Sequence, residues 1–129
     1  MEKTLIIDGR PVRFKCAGST PVIYKSQFGR EFFVETIEVN KQLVLYAGLQ
    51  TEEIDKFPLH DLQKIDFDVF YRMIWTLAKT ADKGIPDPLL WLDSFEDFPI
   101  LDTILELAEL ITAALTSKKN SKMKIPLNQ

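Results

Sequence analysis

The chain has one cysteine, Cys16, and one histidine, His60, so neither an internal disulfide nor a metal centre built on sulfur and imidazole can be assembled from it. Its five glycines, Gly9, Gly18, Gly29, Gly48 and Gly84, stand apart from one another, which removes the phosphate-cradling loop and the dinucleotide fingerprint. No apolar run approaches the roughly 20 residues that a membrane-spanning helix requires. Met1 to Asp8 lacks a basic region followed by a long apolar stretch, so neither export nor membrane insertion is signalled. A surplus of positive charge is missing too. The net charge of −3 and pI near 5.2 argue against nucleic-acid binding, which needs lysine and arginine to neutralise phosphate.

What is present is the material of a folded chain: 46% hydrophobic and 27% charged residues, far from the balance of a disordered segment. At 129 residues it suits one domain. The pattern predicts a mainly helical domain over residues 1–116 and a flexible basic tail over 117–129, where Lys118, Lys119, Lys122 and Lys124 occur without an acid. The lone cysteine sets a cytosolic default.

The predicted fold is α+β, mainly α: an N-terminal β-hairpin packed on a bundle of four to five helices. Leu5-Ile6-Ile7, the turn pair Asp8-Gly9 and the alternation of Val12, Phe14 and Cys16 read as a hairpin. Thr20 is the expected N-cap of a short helix, with Pro21 in its first turn and Gly29 at its end. A second helix from about Arg30 is expected to turn Phe33, Ile37 and Val44 inward, although the β-branched run Val34, Thr36, Ile37, Val39 leaves a strand reading open for part of it. Gly48 and the stretch Thr51 to Pro58 read as a loop or single helical turn.

From about Leu59 or Asp66 to Ala81, the polar residues Asp68, Arg72, Thr76, Lys79, Thr80 and, just beyond, Lys83 fall on one narrow stripe of a helix that is otherwise apolar, so this helix is expected at the centre of the fold. Gly84 and the prolines Pro86 and Pro88 end it. A short helix from Pro88 carries Trp91, and a last one runs from Ile100 to about Leu115 with an apolar arc wider than one neighbour usually covers.

Chemistry is hard to assemble from these residues. A Cys16–His60 pair is the only thiol dyad available, and nothing places the two together. Asp66 with Asp68, and Asp93 with Glu96 and Asp97, could hold a hard cation or work as an acid and base. Acids in a first helical turn or on a short exposed helix are more often simply solvated. The expectation is no catalytic, cofactor or metal site. Trp75 reads as core. Trp91, Phe95 and Phe98 flank the prolines of a short helix, where one or two of them can be presented to a partner.

Ala17-Gly18-Ser19-Thr20-Pro21-Val22-Ile23-Tyr24, then Phe28-Gly29-Arg30-Glu31-Phe32-Phe33, then Asp68-Val69-Phe70 through Trp75-Thr76-Leu77-Ala78-Lys79-Thr80-Ala81-Asp82, resemble the tail assembly chaperones of long-tailed phages and prophages of Gram-positive bacteria. Ile85-Pro86, the block Trp91-Leu92-Asp93-Ser94-Phe95-Glu96 and a final helix ending in Thr116-Ser117-Lys118-Lys119 follow that family's order and spacing. The resemblance covers nearly the whole chain. It departs late in the last helix, where the family commonly has a tryptophan and an asparagine and this chain has Ala108 among aliphatics.

The resemblance implies a non-enzymatic role in the host cytoplasm: binding the aggregation-prone tape measure protein, keeping it soluble and delivering it for tail tube assembly, with the chaperone absent from the finished virion. It also implies a frameshifted extension that recruits the tube protein in such systems. Lys118-Lys119-Asn120 is compatible with an A-rich slippery stretch. A client-binding protein needs exposed apolar surface, so Ile104, Leu107 and Ile111 on the last helix join Trp91, Phe95 and Phe98 as the expected contacts to a client or to a second copy in a homo-oligomer. The competing readings are another phage or prophage helical adaptor and a small carboxylate-dependent enzyme.

Overall fold

The computed structural model describes residues 1–51, 63 and 66–116. Strands β1 (Glu2–Ile7) and β2 (Arg10–Lys15) pair antiparallel, with Leu5 opposite Val12 and Lys3 opposite Phe14. Asp8 and Gly9 join them with φ of 55° and 77°. Two consecutive positive φ values make the tight turn whose twist matches that of the strands, and the Asp-Gly pair tolerates them. Ile7 and Phe14 are buried on one face of the hairpin, while Ile6 and Pro11 lie opposite each other on the exposed face. In a two-stranded sheet every strand is an edge, where a proline is tolerated.

Helix α1 (Thr20–Phe28) begins one turn position earlier than expected: Ser19 is its N-cap, and Thr20 is inside and fully buried. The Thr20 hydroxyl accepts from the Ala17 amide at 2.9 Å and pairs with Thr80 Oγ1 at 3.1 Å, so it closes the entry loop and joins two helices instead of capping. Gly29 ends α1 as anticipated, at φ 70° with its N–H donating to Lys25 O.

Helix α2 (Phe32–Thr51) is continuous through Gly48, so the expected break there is absent and no part of the segment is a strand. Its phase is also rotated from expectation. Phe32, Glu35, Thr36, Val39 and Gln42 point inward, and Phe33, Ile37 and Val44 face out. The reason is polar: Glu35 is claimed by Tyr24 and Arg72, and Gln42 Oε1 accepts from the Asp66 amide at 2.8 Å. Turning the helix to bury the stripe would expose Phe32 and Val39 in exchange and leave Glu35 and Gln42 without their partners, so the observed phase loses little apolar burial and keeps the polar contacts.

Helix α3 (Phe67–Ala81) is the centre. It packs against β2, α1 and α2, and buries Val69, Phe70, Met73, Ile74, Trp75, Leu77 and Ala78. Asp66 caps it by accepting from the Asp68 amide at 2.9 Å. Arg13 from β2 donates to Ala81 O at 2.7 Å, placing a cation on its negative C-terminal end. The polar stripe is not a solvated face: Thr76 and Thr80 are buried, their hydroxyls donating to the carbonyls of Arg72 and Thr76 one turn back. Small hydroxyl residues satisfied by their own helix let α1 approach closely.

After the turn at Lys83-Gly84, Trp75 Nε1 donates to Pro86 O at 2.9 Å and pins the proline-bearing connection. Helix α4 (Pro88–Asp93) is short, and α5 (Ile100–Thr116) completes the fold, packing on α3, α2 and β1. Lys3 on β1 reaches Glu106 of α5, at 2.9 Å to its carbonyl and 3.1 Å to Oε1. The protein is therefore α+β and mainly α, a two-stranded hairpin on five helices among the described residues. His60, the acidic stretch before Pro58 and the expected basic tail over 117–129 lie outside those residues.

Candidate interaction surfaces

Ile104 and Leu107 are 0% exposed and Ile111 1%. The broad apolar arc of α5 is covered because three neighbours, α3, α2 and β1, share it where one was anticipated. In the chain by itself these side chains are core, and among the described residues Leu105, on the flank of the same helix, is the large apolar residue that remains outside.

The aromatic trio also turns inward. Trp91 and Phe95 are buried and Phe98 is half-buried. Their ring centroids lie 5.1 to 5.6 Å apart in steep edge-to-face pairs, an arrangement that matches electropositive ring edges to electronegative faces. Arg10 lies over the Phe95 ring at 4.0 Å and donates to Ser94 O and Ser94 Oγ, while Asp8 Oδ2 accepts from the Glu96 amide at 3.0 Å. The hairpin turn thus clamps the segment after α4. What this segment leaves exposed is aliphatic: Leu89 and Leu90, on the outer side of α4.

The candidate acids do not converge. Asp66 is a helix cap, Asp68, Asp93, Glu96 and Asp97 are exposed, and among the described residues no group of three metal-ligating side chains gathers. Burial pushes the Cys16 thiol up, which leaves it a poor nucleophile. The closest ionic cluster is structural. Glu35 Oε1 accepts from Tyr24 at 2.6 Å and from Arg72 at 2.8 and 3.1 Å, with Arg30 3.6 Å from the other oxygen. Burial and the Glu35 carboxylate push the Tyr24 phenol up, so it remains a donor.

The exposed apolar surface lies where the sequence pattern had placed the core. Phe33, Ile37 and Val44 follow one face of α2, with Val34 beside them; Ile37 is 55% exposed and Val44 72%. Positions four and seven apart share a helix face, so the stripe presents the spacing that another amphipathic helix reads. Glu38 and Lys41, ion-paired at 3.9 Å, lie between these residues and keep the face wettable. Sequence reasoning missed this surface because it turned Phe33, Ile37 and Val44 inward as the apolar face, and the partners that draw Glu35 and Gln42 inside, Tyr24, Arg72 and the Asp66 amide, are distant in sequence.

Among the described residues, no helix is long and apolar enough to cross a membrane. Comparison of the chain with family profiles, with curated proteins and with solved structures finds no match.

Proposed function

We propose that this protein is a non-enzymatic tail assembly chaperone, acting in the host cytoplasm to bind the tape measure protein, hold it soluble and promote tail tube assembly. Two things support the reading. The blocks Phe28-Gly29-Arg30 and Trp91-Leu92-Asp93 carry the sequence resemblance. The outward stripe Phe33, Ile37 and Val44 is the observation that carries the chemistry, because a client made of long amphipathic helices needs an apolar face of matching period to lie against. The client contact is thereby assigned to α2. Trp91, Phe95, Phe98, Ile104, Leu107 and Ile111 act from behind, as the core that keeps the bundle rigid.

The test is co-expression with a tape measure protein of a long-tailed phage. The soluble fraction of the client should rise and the two should co-purify, and Ile37→Asp with Val44→Asp should abolish both effects while the chaperone itself stays folded. A client equally insoluble with and without this protein overturns the reading.

A further inference from the structure

The apolar stripe on α2 is part of a longer seam. Phe33, Ile37, Asn40, Val44 and Ala47 follow one another at steps of four, three, four and three residues, the spacing with which one helix packs along another. Phe33, Ile37, Val44 and Ala47 are exposed, and Asn40, in the middle of the seam, is half-buried. The two branched side chains, Ile37 and Val44, occupy equivalent places two helical turns apart.

Asn40 breaks the apolar pattern at its centre. Gln42, on the inward face of the same helix, has its amide occupied by Glu38 and by the Asp66 N–H, whereas the Asn40 side chain has no hydrogen-bond partner among the described residues. Glu38 and Lys41 on the flank are paired with each other at 3.9 Å, so they offer an incoming helix no net charge on which to align. A helix held by Ile37 and Val44 alone can slide by one heptad, since the two places are equivalent. Covering the seam completes the burial of the Asn40 amide, and a buried amide without a partner is costly, so registers that set an apolar side chain over it are disfavoured. A carboxamide on the incoming helix satisfies Asn40 in both senses, because each amide carries a donor and an acceptor.

We infer that Asn40 sets the register of the helix that binds on α2, and that this helix carries apolar residues at the same alternating four-and-three spacing with one asparagine or glutamine facing Asn40. The inference rests on the assignment of the client to α2 and adds which client helix fits there, and in which position. Asn40 is a specificity determinant in this role: it weakens the contact with a uniformly apolar helix and in exchange selects one alignment.

The full-length chain tests this with two fluorescent helical peptides of about five turns, stapled so that each is helical and monomeric. Both carry isoleucine and leucine along one seam, and they differ only in having asparagine or leucine at its central position. By anisotropy the native chain should bind the asparagine peptide about tenfold more tightly than the leucine peptide, and Asn40→Leu, whose thermal melt should match the native chain's, should reverse that order. Ile37→Asp should abolish binding of both. Equal binding of the two peptides by the native chain, or an order that Asn40→Leu leaves unchanged, overturns the inference and leaves the client assignment standing. Binding that survives Ile37→Asp lies off the seam and overturns it too, as does failure of both peptides to bind while the tape measure protein still co-purifies. Peptides that rank as expected beside a tape measure protein that does not co-purify support the register role of Asn40 and overturn the identity of the client alone.

Discussion

Tyr24 on α1 donates its hydroxyl to Glu35 Oε1 on α2 at 2.6 Å, and the same oxygen accepts from Arg72 on α3. One carboxylate oxygen therefore ties three helices together at a place where apolar packing alone would leave their rotation free. Removing it strands a phenol and a guanidinium in a half-buried site, which is worse than never having placed them there. Glu35→Ala should cost about 3 kcal/mol of stability in urea unfolding, and Tyr24→Phe about 1 kcal/mol, because the Arg72 pair survives in the second variant.

The same contact sets an acid limit. Burial pulls the Glu35 carboxyl up, but the hydrogen bonds from Tyr24 and Arg72 and the charges of Arg72 and Arg30 together outweigh it and hold the group below its ordinary value of 4.5. A lowered folded value means that the contribution is complete above 4.5, where the unfolded chain is already ionised, and is lost as pH falls through the folded value. Unfolding measured at pH 7 and at about pH 3 should show Glu35→Gln less stable than the native chain at the higher pH, with the gap narrowing as pH falls below 4.5. A stability gap that stays constant between the two would contradict this assignment.

Aspartate substitutions separate core from contact surface. Ile104→Asp or Leu107→Asp buries an unpaired charge and should cost more than about 4 kcal/mol, unfolding the protein outright. Ile37→Asp and Val44→Asp should stay within about 0.5 kcal/mol of the native chain, and the proposed chaperone role predicts that they lose the tape measure protein in co-purification. The reverse ranking would move the client site back to α5.

At the hairpin, Gly9 is held at φ 77° with open space around it, so a methyl group there meets backbone strain and no clash. Gly9→Ala should destabilise by about 1 kcal/mol. Gly18→Ala, with the same open space and no positive φ, should be neutral or mildly stabilising. Thermal melts of the two variants make the comparison.

Trp75→Phe keeps most of the ring's burial but leaves Pro86 O without its donor. It should cost about 1 to 3 kcal/mol. Its local signature should be increased amide exchange from Ile85 to Leu90, where the connection is pinned by that bond and by Lys79 donating to Ile85 O at 2.7 Å.

Elements whose signal is local were legible in the chain. The Asp8-Gly9 turn, the stop at Gly29 and the prolines around α4 each act through the backbone of a few neighbouring residues, so their structural consequence is fixed before any distant contact forms. The central place of α3 followed from its one-sided polarity, since an almost wholly apolar helix has to be surrounded. Residue types alone therefore determined the hairpin, the order of the helices and which helix is innermost.

Which faces meet was decided by tertiary structure. The stripe Phe33, Ile37, Val44 and the set Phe32, Glu35, Val39, Gln42 are both regular on α2, and periodicity gives no preference when one is apolar and the other has polar members whose partners are far away in sequence. Tyr24, Arg72 and the Asp66 amide made the choice by satisfying Glu35 and Gln42 inside. Likewise α5 buried Ile104, Leu107 and Ile111 because a strand and two helices converge on it, a count of neighbours that no single segment encodes. Burial is a property of the assembled surfaces, and hydrogen-bond satisfaction across long sequence separation is what selected among them.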